Sequence, residues 1–255
     1  MAGMYRQGIE VKRDTNVGII IEKASWFPIL EKIYSEGERI YYPNDQDEVF
    51  HIKENNIDLA FIAGQGSSIA ACATERLRVY GAKAIIRIGT CGALSKDVTL
   101  WDPIIVTACF SDEGTSRHYL PAGFPIVPDP ELSSLLAKNF DKNKIDYRRG
   151  ITVTTDGRWK EDAELLKTLN KVGVVSIEME TAAILAVCQF RKLAVAAINI
   201  PADLPADEDS EHDFKGIPNR SKYNDNLENA LNLVVPSVVD TLISYYTNLL
   251  NKHGQ

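Results

Sequence analysis

The sequence predicts an α/β protein, a single three-layer domain with a central mixed, mostly parallel β-sheet flanked by helices. Three observations predict it. Short β-branched runs recur at 17–22, 59–63, 84–89, 103–108, 150–155, 172–177 and 194–200, and most are apolar throughout, as strands buried on both faces are. Helical or irregular stretches separate several of them, which is the strand–helix order of a parallel sheet. The chain has 255 residues, near the size at which one core stops growing, so residues 1–255 are expected to form one domain.

Taken in order, the first strand at 17–22 leads into a helix at 26–35. The run at 59–63 ends in Gly64-Gln65-Gly66-Ser67-Ser68, a glycine turn that opens a helix at 67–80. Further helices are expected at 130–139, 161–170 and 180–192, the last with Ile184, Leu185, Val187 and Cys188 inward. The final helix, 224–252, is long and amphipathic, with Leu227, Ala230, Leu231, Val234 and Val238 on one stripe. Pro236 is expected to kink it. Residues 201–220 form a long polar loop directly after a strand, a position that favours a functional lid.

Composition narrows the function classes. With 28 basic and 35 acidic residues the net charge is -7, which repels nucleic acid and anionic membranes, so neither is expected as a partner. Cys72, Cys91, Cys109 and Cys188 lack CxxC spacing, so neither a disulfide framework nor a metal site is indicated. That usage fits a reducing, cytoplasmic setting. The opening MAGMYRQGIEVKRD has no apolar core of signal-peptide length, and no window is expected to approach a membrane span.

Three constellations could carry chemistry. In VVSIEMETAA, Glu178 and Glu180 fall where a β-branched run gives way to a helix, and strand ends are where α/β proteins bind ligands. Two residues apart in extended chain, they would point the same way. An ionised Glu accepts two hydroxyls at once, which suits a sugar; a solvated helix start favoured by the macrodipole is the equal alternative. In Arg87-Ile88-Gly89-Thr90-Cys91-Gly92, a guanidinium, a hydroxyl and freed backbone amides could converge on one anion, with an ordinary glycine turn as the alternative. Asp203, just past the strand at 194–200, could protonate a leaving base, or cap the turn before Pro205. The acidic run at Asp207, Glu208, Asp209, Glu211 and His212 reads as solvated, without regular ligand spacing.

IRIGTCGAL at 86–94, SRHYLPAGFPIVPD at 116–129 and VSIEMETAAIL at 175–185 together resemble the nucleoside phosphorylases of the trimeric/hexameric class, which includes purine nucleoside and uridine phosphorylases. The resemblance implies that phosphate attacks the anomeric carbon of a ribonucleoside, releasing the base and ribose 1-phosphate. It implies inorganic phosphate as co-substrate, no other cofactor, and a homo-oligomer built from dimers. Carried over, Arg87 and Thr90 match phosphate ligands, Glu180 matches the ribose carboxylate, and Met179 packs under the sugar. Ile177 and Glu178, with Cys91 and Gly92, match positions beside the base. Asp203 matches the acid that protonates a purine at N7, which favours purine nucleosides, whereas SRHYLPAGFPIVPD looks closer to the uridine enzymes.

The chain departs from the family in places. Glu22-Lys23-Ala24-Ser25-Trp26 replaces a Gly-Asp-Pro-x-Arg phosphate segment, leaving Lys23 as its substitute. The N-terminal His has no match beyond Tyr5 and Arg6. The base-stacking aromatic is replaced near Arg158 and Trp159, which adds Arg158 to the base-binding candidates. Arg39 is the candidate for the arginine lent by a neighbouring subunit. A nucleosidase, using water, would place a Glu where Trp26 stands, and a binding protein without turnover would have little need of Asp203.

Overall fold

The computed structural model describes residues 11–43, 47–95, 97–160, 163–203 and 220–253. In chain order the elements are β1 (Val17–Ile21), α1 (Phe27–Ile33), β2 (Glu38–Tyr42), β3 (Asp47–Glu54), β4 (Ile57–Ala63), α2 (Ser67–Tyr80), β5 (Ala84–Ala93), β6 (Ile104–Asp112), α3 (Pro130–Lys142), β7 (Arg148–Thr155), α4 (Ala163–Lys171), β8 (Val174–Glu178), α5 (Thr181–Arg191), β9 (Ala194–Asp203) and α6 (Arg220–His253). The strands make one sheet in the order β2-β3-β4-β1-β5-β8-β7-β6-β9, and β9 also pairs with β5. That extra pairing closes β5, β8, β7, β6 and β9 into a ring, with β1, β4, β3 and β2 extending from it as an open sheet. The pairs β1–β4, β1–β5, β5–β9, β6–β7 and β7–β8 are parallel, and β2–β3, β3–β4, β5–β8 and β6–β9 antiparallel. The mixed, mostly parallel sheet is as expected; its closure is not legible in local periodicity.

Successive strand residues point to opposite faces, and β1 uses both. Ile19 and Ile21 pack with Ile86, Ile88, Leu231 and Val235 against α1, α3 and α6. Ile20 packs with Ile85, Ala70 and Leu77 on the other face, under α2 and α5. Each such fully buried aliphatic side chain contributes roughly 1.5–3 kcal/mol, which is why these strands read as unbroken apolar runs.

Three expectations need correction. No strand is predicted over 38–54, where the structure has the antiparallel pair β2–β3. Glu38, Arg39, Glu48 and Lys53 interrupt the apolar signal there, as an edge pair with a solvated side allows. Lys222–Lys252 is long and apolar enough to cross a membrane by length and composition, contrary to the expectation that no window approaches a span. In this fold its Leu231, Val235, Val238 and Leu242 are fully buried in the core. The helix α6 runs unbroken through Pro236, although the ring removes one donor to the preceding turn. The predicted loop at 201–220 begins instead as the end of β9, and residues 204–219, with Tyr5 and Arg6, lie outside the described residues.

The ends of four neighbouring strands prepare the site. Glu22 follows β1, Thr90 lies in β5, Glu178 ends β8 and Asp203 ends β9. A register shift between Cys91 and Gly92 sets Gly92 opposite Asp203 of β9, and Gly92 also faces Ile177 of β8. One bulge thus ties the glycine turn to two site-bearing strands.

Candidate active site

Arg87 is the largest fully buried side chain, 1 % exposed, and its guanidinium is spent inside the protein. Its Nη2 donates to Glu180 Oε2 at 2.6 Å and lies 3.1 Å from Glu178 Oε2, while Nη1 donates to Asn199 Oδ1 at 2.5 Å. Glu178 and Glu180 therefore do meet at one place, as their spacing predicts, but the partner is Arg87. Gly89 makes the arrangement possible, since a Cβ there would overlap the guanidinium. Burial opposes the Arg87 charge, but Glu178 and Glu180 outweigh it and hold the guanidinium protonated well above its ordinary range. Arg87 stands behind the cavity wall, so the structure does not present it as an open phosphate ligand.

The two acids separate in role. Glu178 Oε2 accepts from the N–H groups of Glu180 at 2.8 Å and Thr181 at 2.7 Å, and Oε1 accepts from the Thr154 hydroxyl. It satisfies the first amides of α5, which every helix start leaves unpaired. Glu180 Oε1 accepts from Gly66 N–H at 2.7 Å, where Gly66 takes φ 84°, a left-handed conformation that suits glycine. Burial raises the Glu180 carboxyl above its usual range, Arg87 lowers it, and Glu178 adds to the rise. A carboxylate offers about four lone-pair sites, so Glu180 keeps capacity for two hydroxyls after binding Arg87 and Gly66.

Thr90 carries the finding that the sequence did not foresee. Its N–H and hydroxyl both donate to Glu22 Oε2, at 2.8 and 2.5 Å, and Lys23 Nζ pairs with Glu22 Oε1 at 2.8 Å. Glu22 is only 6 % exposed. Burial pushes its carboxyl up, but Lys23 and the Thr90 donors pull it down further, leaving it below the usual carboxylate range. The donors assigned to phosphate are thus held by a carboxylate of the same chain. The Glu-Lys pair directly after an apolar strand is the signal that could have found it.

A cavity of about 450 Å³ gathers these groups. Thr90, Cys91, Gly92, Arg158, Ile177, Glu178, Met179, Glu180 and Asp203 all line it together with Glu22, so of the candidate site residues among those described only Arg87 and Arg39 stay outside this space. Cys91 is buried, which pushes its thiol well up and leaves it uncharged. The Arg158 guanidinium lies 5.8 Å from the Trp159 ring centroid, and its Nε is buried without a partner among the described residues. Trp26 and, from α6, Tyr223 complete the wall. Tyr223 is a site residue that a helical stripe does not reveal; it packs edge-on against Trp101 at 5.3 Å. By contrast SRHYLPAGFPIVPD lines a separate cavity of about 250 Å³ with Cys109 and Phe110. Arg39 pairs with Glu31 and Glu48 of its own chain. No group of His, Cys, Asp and Glu suited to a metal ion occurs among the described residues.

The family model of the phosphorylase superfamily matches residues 52–238. A guanosine phosphorylase from Halorubrum lacusprofundi is 29% identical over 201 residues, spanning 76% of this chain and 81% of that protein. A DeoD-type purine nucleoside phosphorylase from Bacillus cereus is 31% identical over 176 residues, 66% of this chain and 71% of the relative. Among solved structures, a Toxoplasma gondii purine nucleoside phosphorylase in complex with immucillin-H superposes with a TM-score of 0.78 at 24% identity, covering 92% of this chain and 94% of the other. A Vibrio fischeri uridine phosphorylase complexed with 6-hydroxy-1-naphthoic acid gives 0.80 at 21% identity, covering 94% and 100%. The structural likenesses establish the fold, and the match over most of the sequence establishes more: the chain belongs to the phosphorylase superfamily, a family of enzymes.

Proposed function

We propose that this protein cleaves the N-glycosidic bond of a purine ribonucleoside. The observation that carries this reading is the meeting of Glu180, Met179 and Asp203 in one cavity with the Thr90–Gly92 turn. Cleavage passes through a ribosyl cation, so the site must grip the sugar, present an acceptor to the anomeric carbon and neutralise the departing base. Glu180 takes the ribose hydroxyls on its two remaining acceptor sites, and Arg87 positions it from behind. Met179 packs against the sugar. Asp203 gives its proton to the base as the bond electrons move there. Cys91, Gly92, Ile177 and Arg158 flank the base.

Purine is favoured because Asp203 serves a purine N7 and the relatives named above include a guanosine and a purine nucleoside phosphorylase. Uridine is the second reading, on the likeness of SRHYLPAGFPIVPD, which is weakened by that stretch lining a separate cavity. Inorganic phosphate is the acceptor that family likeness favours, and phosphorolysis demands that Glu22 yield Thr90 to the incoming anion. A homo-oligomer built from dimers belongs to the same reading, and the exposed Phe110, Phe124 and Phe190 offer it apolar surface. The cytoplasmic setting also belongs to it, in keeping with the free thiols of all four cysteines.

Incubation with inosine, guanosine, adenosine and uridine tests the proposal: base release is expected, faster from the purine nucleosides, and its absence from all four would leave a binding protein. Glu180→Ala is expected to raise KM and lower kcat together, a loss in kcat/KM of about 2–4 kcal/mol for a charged ribose contact. An unchanged kcat/KM in the folded variant would remove Glu180 from the site.

A further inference from the structure

We propose that Glu22 fills the acceptor-anion seat of this cavity and hands the ribosyl group to water in place of phosphate. The proposal rests on nucleoside cleavage at this cavity and names its acceptor.

The seat is defined by its donors. Thr90 N–H and hydroxyl reach Glu22 Oε2 at 2.8 and 2.5 Å, and the Lys23 ammonium reaches Oε1 at 2.8 Å. Two neutral donors and one cation are what an anionic oxygen requires, and here a carboxylate has all three. The other expected phosphate ligand, Arg87, is 1 % exposed and commits both terminal nitrogens to Glu180 and Asn199. Phosphate entering beside Glu22 would meet a like charge in a poorly solvated place and would find its donors already occupied. Water carries no charge and meets no such barrier.

The chemistry balances without a further reactant. The bond from the anomeric carbon to the base nitrogen breaks, its electron pair goes to the base, and Asp203 supplies the proton that neutralises it. The water oxygen bonds to the anomeric carbon and its proton passes to the Glu22 carboxylate. The products are free base and ribose, and exchange with solvent returns Glu22 to carboxylate and Asp203 to acid. A carboxylate held below its usual range is a weak base, which suffices because bond breaking leads and the attacked centre is already cationic. Its negative charge also stabilises that cation, as an attacking phosphate would.

The test uses the full-length protein with inosine in phosphate-free buffer and in buffer with added phosphate, following hypoxanthine and identifying the sugar product. The expected result is release without phosphate, one free ribose per base, and no acceleration by phosphate. Glu22→Gln, which keeps the shape and most of the bonding, is expected to lose about 100-fold in kcat without phosphate. Glu22→Ala, which empties the seat, is expected to recover base release on adding phosphate, with ribose 1-phosphate as the product. Thermal melting confirms that each variant is folded, and the product made by the unaltered protein needs no variant at all. Phosphate-dependent release with ribose 1-phosphate from the unaltered protein overturns the water acceptor while leaving nucleoside cleavage intact. A Glu22→Gln variant as fast as the parent without phosphate overturns it as well. No release from inosine, guanosine, adenosine or uridine in either buffer overturns the cleavage itself, and the acceptor with it.

Discussion

Replacing Arg87 with methionine is expected to lower the unfolding free energy by about 3–5 kcal/mol, the usual cost of removing one partner from a buried ion pair. The variant leaves Glu178 and Glu180 buried at 6 % and 4 % exposure with no guanidinium between them. Both keep backbone donors, Glu178 from the start of α5 and Glu180 from Gly66, so the loss is one of charge compensation more than of hydrogen bonding. The effect has a pH signature. Burial and Glu178 already hold the Glu180 carboxyl above its usual range against the lowering by Arg87, and removing Arg87 raises it further. A carboxyl raised in the folded state binds protons that the unfolded chain releases, so the folded form loses stability as pH rises through the raised value and regains it as pH falls. Urea unfolding across acidic to neutral pH should therefore show the Arg87→Met deficit shrinking toward acid. A deficit under about 1 kcal/mol at neutral pH, the range of an exposed pair, would show that Arg87 is not the buried counter-ion described.

Asp203→Asn is expected to slow cleavage of inosine by about 10²- to 10⁴-fold in kcat, the range for loss of a positioned general acid. Asparagine can still donate a hydrogen bond to the base but has no proton to transfer. Asp203 reaches the cavity because β9 continues to it past an extra residue, Ala202, opposite the Cys91–Gly92 step of β5, and backbone registration of that kind survives the substitution. Uridine has no N7, so its cleavage should fall far less. Comparing kcat for the two nucleosides decides the matter, since equal losses would contradict proton delivery to the purine ring.

Much of the fold was legible because buried strands leave continuous apolar runs, and the expected helix at 67–80 matches α2 from end to end. The β2–β3 pair was not legible, because an edge strand mixes charge into its pattern. In the site, Glu180, Met179 and Asp203 could be placed from motif and strand end, and the cavity does collect them. Arg87 illustrates the limit. A charge inside AIIRIG signals a partner, and an anion in solution and two carboxylates of the same chain satisfy that signal equally well until their positions are known.

The sequence by itself determined the α/β class, the strands that carry chemistry at their ends, and the residue types available for sugar and base. Those follow from periodicity and local chemistry, which act over a few residues. Only the tertiary structure decided who faces whom. Thr90 meets Glu22 across 68 residues, Arg87 meets Glu180 across 93, and Gly66 meets Glu180 across 114. Those encounters depend on strand order, on the register shift of β9 against Cys91–Gly92 and on the closure of β9 onto β5. None of these is encoded in a local pattern, because neighbours in a sheet are chosen by the packing of the whole chain.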